Sequence, residues 1–219
     1  MRQKYFIQVL SGLLFSTLTL TTMAKVPSTT EIIGWLNNPE KSYANPANAI
    51  SIDRTEEIVL MSGEKAYISG IEFANAGRNF WAGYILTRPN LKQSHLLEFG
   101  GQSNTFVVHQ VIVNGKPVNL VEFESAGSGQ GTIEQSRTLT YFKNWQPVTI
   151  AEAESYYSPG QFDVKQGDSD CKTGANDTGI LNVLEQQSMV LKTEITGNAC
   201  ASRPQDYKIQ SKLIPIVLR

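Results

Sequence analysis

Histidine and cysteine are scarce in this chain: 219 residues hold two of each. His95 and His109 show neither the H-E-x-x-H nor the paired spacing that zinc chemistry uses. Cys171 and Cys200 are too far apart for the C-x-x-C of a redox pair. A P-loop needs Lys-Ser/Thr after its last glycine, and a nucleophile elbow needs G-x-S-x-G; neither is present. No cofactor is therefore expected. No block of like charge reads as an interaction tail, and no apolar run after residue 24 is long enough to cross a bilayer.

The first 24 residues carry the most specific signal. Arg2 and Lys4 form a positive start, Phe6 to Leu20 is mostly apolar, and Thr22-Met23-Ala24 ends in small residues. That order predicts a cleaved signal peptide over residues 1–24 and a secreted or periplasmic protein. Its removal leaves 195 residues with 17 basic and 20 acidic side chains, a formal charge of −3. A single domain over residues 25–219 fits this length. The charge offers no counterion-release term for nucleic acid, and no membrane insertion is expected after cleavage. In an oxidising compartment Cys171 and Cys200 form one disulfide, and closing that 30-residue loop stabilises the fold by roughly 3–4 kcal/mol.

Residues 25–56 read as a helical and loop segment packed on the rest. Ser28-Thr29-Thr30-Glu31 has capping-box form and is followed by Ile32, Ile33, Trp35 and Leu36, predicting a helix from Thr29 to Leu36. From Glu57 onward, short apolar runs alternate with Gly, Asn, Ser and Pro clusters. Twelve strands are expected: 57–61, 66–73, 79–87, 95–99, 105–113, 118–124, 133–142, 148–151, 180–184, 189–196, 207–213 and 216–218. The fold class is all-β, an antiparallel sandwich or a meander of hairpins after a short N-terminal helix.

Asn114-Gly115 is a type I′ turn sequence, so residues whose numbers sum to 229 should pair across it: Phe106 with Phe123, Val108 with Val121. Both faces of that hairpin are apolar, which predicts cover on both sides. The form N-x-[KQ]-P-V-x-[LI] recurs 30 residues later at Asn144, and Ile214-Pro215-Ile216 echoes part of it. Such repetition suggests successive similar hairpins.

The Gly-rich segment Gly127, Ser128, Gly129, Gln130 and Gly131 reads as a connection between strands, able to contact a ligand at its tip. Tyr156 and Tyr157 enter a turn sequence and are the second candidate contact. Phe80 to Leu86 reads as core. Asp168, Asp170 and Asp177 form an oxygen-rich stretch that could hold calcium, although the EF-hand pattern fails. Were the chain an enzyme, Ser128, His109 and Glu122 would be its candidates, and Glu122, Glu124 and Glu134 a possible carboxylate set.

These features predict an exported binding protein, in its most concrete form an inhibitor or immunity protein that blocks an envelope-acting peptidoglycan or lipid hydrolase. Its partner would be another protein of the envelope or the exterior. The alternatives are an exported hydrolase built from scattered residues, and a structural or assembly component of the envelope.

Overall fold

The computed structural model describes residues 25–37, 50–74, 76–129, 132–158, 178–196 and 208–218. One short helix, α1 (Thr29–Gly34), precedes eleven strands: β1 (Ile50–Val59), β2 (Lys65–Phe73), β3 (Ala82–Arg88), β4 (Gln93–Gly101), β5 (Phe106–Val113), β6 (Lys116–Gly129), β7 (Thr132–Lys143), β8 (Gln146–Ser158), β9 (Thr178–Leu184), β10 (Met189–Thr196) and β11 (Lys208–Pro215). The all-β expectation holds. Eight strands form one sheet in the order β1-β2-β3-β4-β6-β7-β8 with β5 on β6, and β11-β10-β9 form a second.

Three apolar cores follow from how the strands bury alternate residues. The leaf β1–β4 and the leaf β5–β8 enclose the first, around Ile68, Tyr84, Leu86, Phe106, Phe123 and Phe142. On the other face of β5–β8, the small sheet lays Leu181, Val190 and Ile214 against Val111, Leu120, Leu139 and Tyr141. Outside β1–β4, Ile32 of α1 meets Ile71, Ile85 and Leu96. Ser28 caps that helix as expected: its hydroxyl accepts from the Glu31 N–H, and Glu31 accepts from the Ser28 N–H at 2.8 Å. The helix ends at Gly34 rather than Leu36, because Leu36 instead bridges to Ser94 of β4.

β5 and β6 pair with the sum-229 register, Phe106 to Phe123 and Val108 to Val121. Asn114 and Gly115 both take positive φ, 52° and 74°, as a type I′ turn demands. The repeat 30 residues on is structural too. Asn144-Trp145 turns β7 into β8 with Lys143 opposite Gln146 and Pro147 opposite Phe142, just as Pro117 lies opposite Ile112. Pro215 does not share this role, since it closes β11 opposite Met189.

Several boundaries differ from expectation. β1 starts at Ile50, within the segment read as helix and loop, because Ile50 and Ile52 pack beside α1. Residues 216–218 are not a strand. Gly127, Ser128 and Gly129 do not form a loop: they continue β6 opposite Glu134, Ile133 and Thr132. Tyr156 and Tyr157 belong to β8; Pro159 and Gly160, where the turn was expected, lie outside the described residues. Backbone pairing along three adjacent strands outweighs the low strand preference of glycine there.

Candidate functional site

β6 is long enough to serve two neighbours on one edge. Its first half pairs β5, and beyond it Ala126 bridges Gly101 of β4 in parallel. Gly101 has φ +81°, and a Cβ there would stand 2.4 Å from the Ala126 carbonyl oxygen. Only glycine lets the two backbones approach so closely. Gln102 then ties three segments together. Its amide nitrogen lies 2.8 Å from the Arg78 carbonyl, 2.7 Å from Asn79 Oδ1 and 3.0 Å from Ser128 Oγ. With two protons, that amide donates to two of the three at any moment.

One end of the large sheet is built this way. The extended β6–β7 pair reaches past the β4 bridge, and β8 runs alongside, with Glu134 opposite Tyr157 and Gln135 opposite Tyr156. The two segments singled out in the sequence, Gly127–Gly129 and Tyr156–Tyr157, are therefore neighbours in one three-stranded ribbon. Ile133 is exposed on it. Across β4, the β2–β3 connection presents Phe80 and Trp81, 43% and 37% exposed. This corrects their reading as core; Tyr84, Ile85 and Leu86 are fully buried as expected. Gln130 and Gly131 lie outside the described residues, as do Asp168, Asp170, Asp177, Cys171 and Cys200.

Two hollows flank the ribbon. One, of about 560 Å³, lies between β3 and the bowed part of β4, lined by Phe73, Phe80, Tyr84, Leu97 and Phe99. The other, of about 650 Å³, lies between the ribbon and β10 and carries Glu134, Glu152, Glu154 and Glu194 with Lys192. Lys192 Nζ pairs with Glu194 Oε1 at 2.6 Å. Among the described residues no group of three or more His, Cys, Asp or Glu side chains is placed to hold a metal.

The three catalytic candidates do not converge on one site. His109 Nε2 reaches Glu122 Oε2 at 3.2 Å, and Arg137 Nη1 reaches Glu122 Oε1 at 3.2 Å. Arg137 also faces Glu124 at 3.6 Å, and Ser103 Oγ donates to Glu124 at 3.1 Å. Glu122 is thus held from both neighbouring strands. Ser128 lies six residues farther along β6, on the order of 20 Å at the rise of a strand, and its hydroxyl meets Gln102. Glu134 sits on the ribbon opposite Gly127, away from Glu122 and Glu124.

Deeper in the large core, the Tyr84 hydroxyl lies 2.7 Å from the Thr105 carbonyl and 2.6 Å from that of Glu124. Burial pushes its ionisation well above the usual tyrosine value, with a bond to Ser103 working against that shift. The hollow and its rim were missed in the sequence. Gly100-Gly101, the glycine pair that ends β4, was the signal that could have marked them.

Comparison with protein-family models, with curated proteins and with solved structures finds no match. Among the described residues no helix is long and apolar enough to cross a membrane.

Proposed function

We propose that this is an exported binding protein whose partner-contacting surface is the β6–β7–β8 ribbon end. In its most concrete form it is an inhibitor or immunity protein that blocks an envelope-acting hydrolase. The observation that carries this reading is the convergence of Gly127–Gly129 and Tyr156–Tyr157 on three adjacent strands, across β4 from exposed Phe80 and Trp81. Tyrosine-bearing and glycine-bearing segments on adjacent strands suit a protein contact, because aromatic residues supply buried area at low entropic cost.

A photo-crosslinker at Ile133 tests it in the native compartment. The reading expects a single protein adduct, inhibition of that partner by the purified chain, and loss of both with Ile133→Asp. A chain that crosslinks to nothing and inhibits no peptidoglycan or lipid hydrolase overturns it.

The hydrolase alternative draws on the His109–Glu122 pair, which resembles the base and orienting acid of a triad. It expects turnover of ester, glycoside or peptide substrates that His109→Ala abolishes. The envelope-assembly alternative expects co-fractionation with other subunits.

A further inference from the structure

We infer that the hollow between β3 and β4 is a binding site for an uncharged aromatic small molecule, independent of the protein contact proposed for the ribbon. The hollow is made by a mismatch in strand length. Ile85 pairs with Leu96 and Gly83 with Gly100, so Tyr84 alone on β3 faces Leu97, Glu98 and Phe99 on β4. Two surplus residues bow β4 outward, as a bulge does. About 560 Å³ opens between the strands, within the range that small-molecule sites occupy.

The walls decide the ligand class. Phe73, Phe80, Leu97 and Phe99 line it with apolar surface. Two lining residues with polar side chains, Ser125 and Tyr84, already have those side chains engaged. Ser125 Oγ accepts from the Gly100 N–H at 3.1 Å, and the Tyr84 hydroxyl is held by the Thr105 and Glu124 carbonyls. Glu98 is the charged residue of the lining; it is exposed to solvent and already engaged, so its carboxylate disfavours an anionic ligand without calling for a cation.

Aromatic character follows from a ring cluster that includes one of the lining residues. Phe99 lies on Phe123 with ring centres 4.6 Å apart and planes 8° from parallel, and Tyr84 meets Phe123 edge-on at 4.7 Å. Phe99 lines the hollow and Phe123 does not. A ring bound against Phe99 and Phe80 would join that cluster and gain ring–ring attraction beyond its area. Gly83 helps keep the space: a Cβ there would touch the Phe73 ring at 3.4 Å with no restriction from its backbone angles.

Titration of the purified protein with N-phenyl-1-naphthylamine, read by fluorescence, tests the site. Saturable enhancement with one probe per chain is expected. 2-Naphthol should displace it at about threefold to tenfold lower concentration than its saturated counterpart decahydro-2-naphthol, the ratio that ring–ring attraction supplies. Phe80→Ala, on an exposed rim residue, should weaken the probe with the circular dichroism spectrum unchanged; Gly83→Leu should fill the space and abolish binding. Absence of saturable binding to the folded protein overturns the inference. So does equal displacement by the two alcohols, or binding that Phe80→Ala leaves intact. None of these results touches the ribbon contact, which is read separately from the crosslink at Ile133.

Discussion

His109 and Glu122 meet diagonally across β5 and β6, with Nε2 of the ring 3.2 Å from Oε2 of the carboxylate. The second oxygen of Glu122 takes Arg137 from β7. The partners differ in exposure: the Glu122 side chain is 6% exposed and that of Arg137 39%. Removing each should therefore have unequal cost. Arg137→Met leaves a buried carboxylate beside Glu124 with the cation gone, whereas Glu122→Gln leaves a cation that water still solvates. Loss of the first should destabilise by about 2 kcal/mol and of the second by about 1 kcal/mol, smaller than for a fully buried pair. Urea unfolding of both variants and of the double variant measures it. Equal costs would show that the difference in exposure does not govern the pair, and costs of about 0.5 kcal/mol or less for both would mean that the network contributes no more than a surface pair.

The glycines at the ribbon end divide into those the backbone requires and those it does not. A Cβ on Gly101 would collide with the Ala126 carbonyl, and its φ is +81°. Gly101→Ala should cost about 3 kcal/mol or more, through strain and loss of the β4–β6 bridge. A Cβ on Gly127 or Gly129 would have nothing within 4 Å. Gly127→Ala should then be neutral or stabilise by about 0.5 kcal/mol, since it restricts the unfolded chain. Thermal melts of the two variants should move in opposite directions or differ severalfold. A stable Gly127→Ala protein that no longer engages its partner would assign this glycine to recognition.

Cys171 and Cys200 lie outside the described residues. β9 and β10 run antiparallel with Thr178 opposite Ile195, so the chain enters β9 and leaves β10 at the same end of the small sheet. Cys171 precedes that end and Cys200 follows it. A bridge between them would close the loop that contains both strands. Mass spectrometry of the unreduced protein, purified without reductant, should find a loss of two hydrogens, and Cys171→Ser should lower stability by roughly 3 kcal/mol on the chain-entropy account. Two free thiols in that material would refute the bridge.

How far the sequence could be read follows from the reach of each signal. Asn114-Gly115 fixes a hairpin because the turn has two residues and one geometry, and it therefore placed His109 and Glu122 on a common face. Ser28 and Glu31 act within one turn of helix, so they too were legible. Arg137 was not, because its register against β6 depends on the pairing of residues flanking Gln130 and Gly131. The aromatic hollow was least legible. It arises from two surplus residues on β4 relative to β3, and strand-length mismatch leaves no local mark in Leu97, Glu98 or Phe99. Phe80 and Trp81 were misread for a related reason. Their continuity with buried Tyr84 suggested one strand, but β3 starts only at Ala82.

Tyr84 supplies a test of the central core by alkali. Its hydroxyl has one proton and lies within hydrogen-bond distance of two carbonyl oxygens, those of Thr105 and Glu124. The Thr105 oxygen also accepts from the Glu124 N–H at 3.1 Å, so the segments leading into β5 and along β6 are tied at one point. A phenolate there would face two carbonyls with no proton to offer and little water, and burial accordingly raises its ionisation above the ordinary value of 10.0. The sign follows from linkage. A group whose folded value is raised contributes its full stability below the unfolded value and loses it as pH rises toward the folded one. The wild-type protein should keep constant stability in this respect up to about pH 10 and then lose it progressively on further alkalinisation. Tyr84→Phe should cost about 1 kcal/mol near neutrality through the lost hydrogen bond, and its alkaline limb should be flatter than that of the wild type. Parallel alkaline limbs for the two proteins would show that Tyr84 stays protonated until the fold has already opened for another reason.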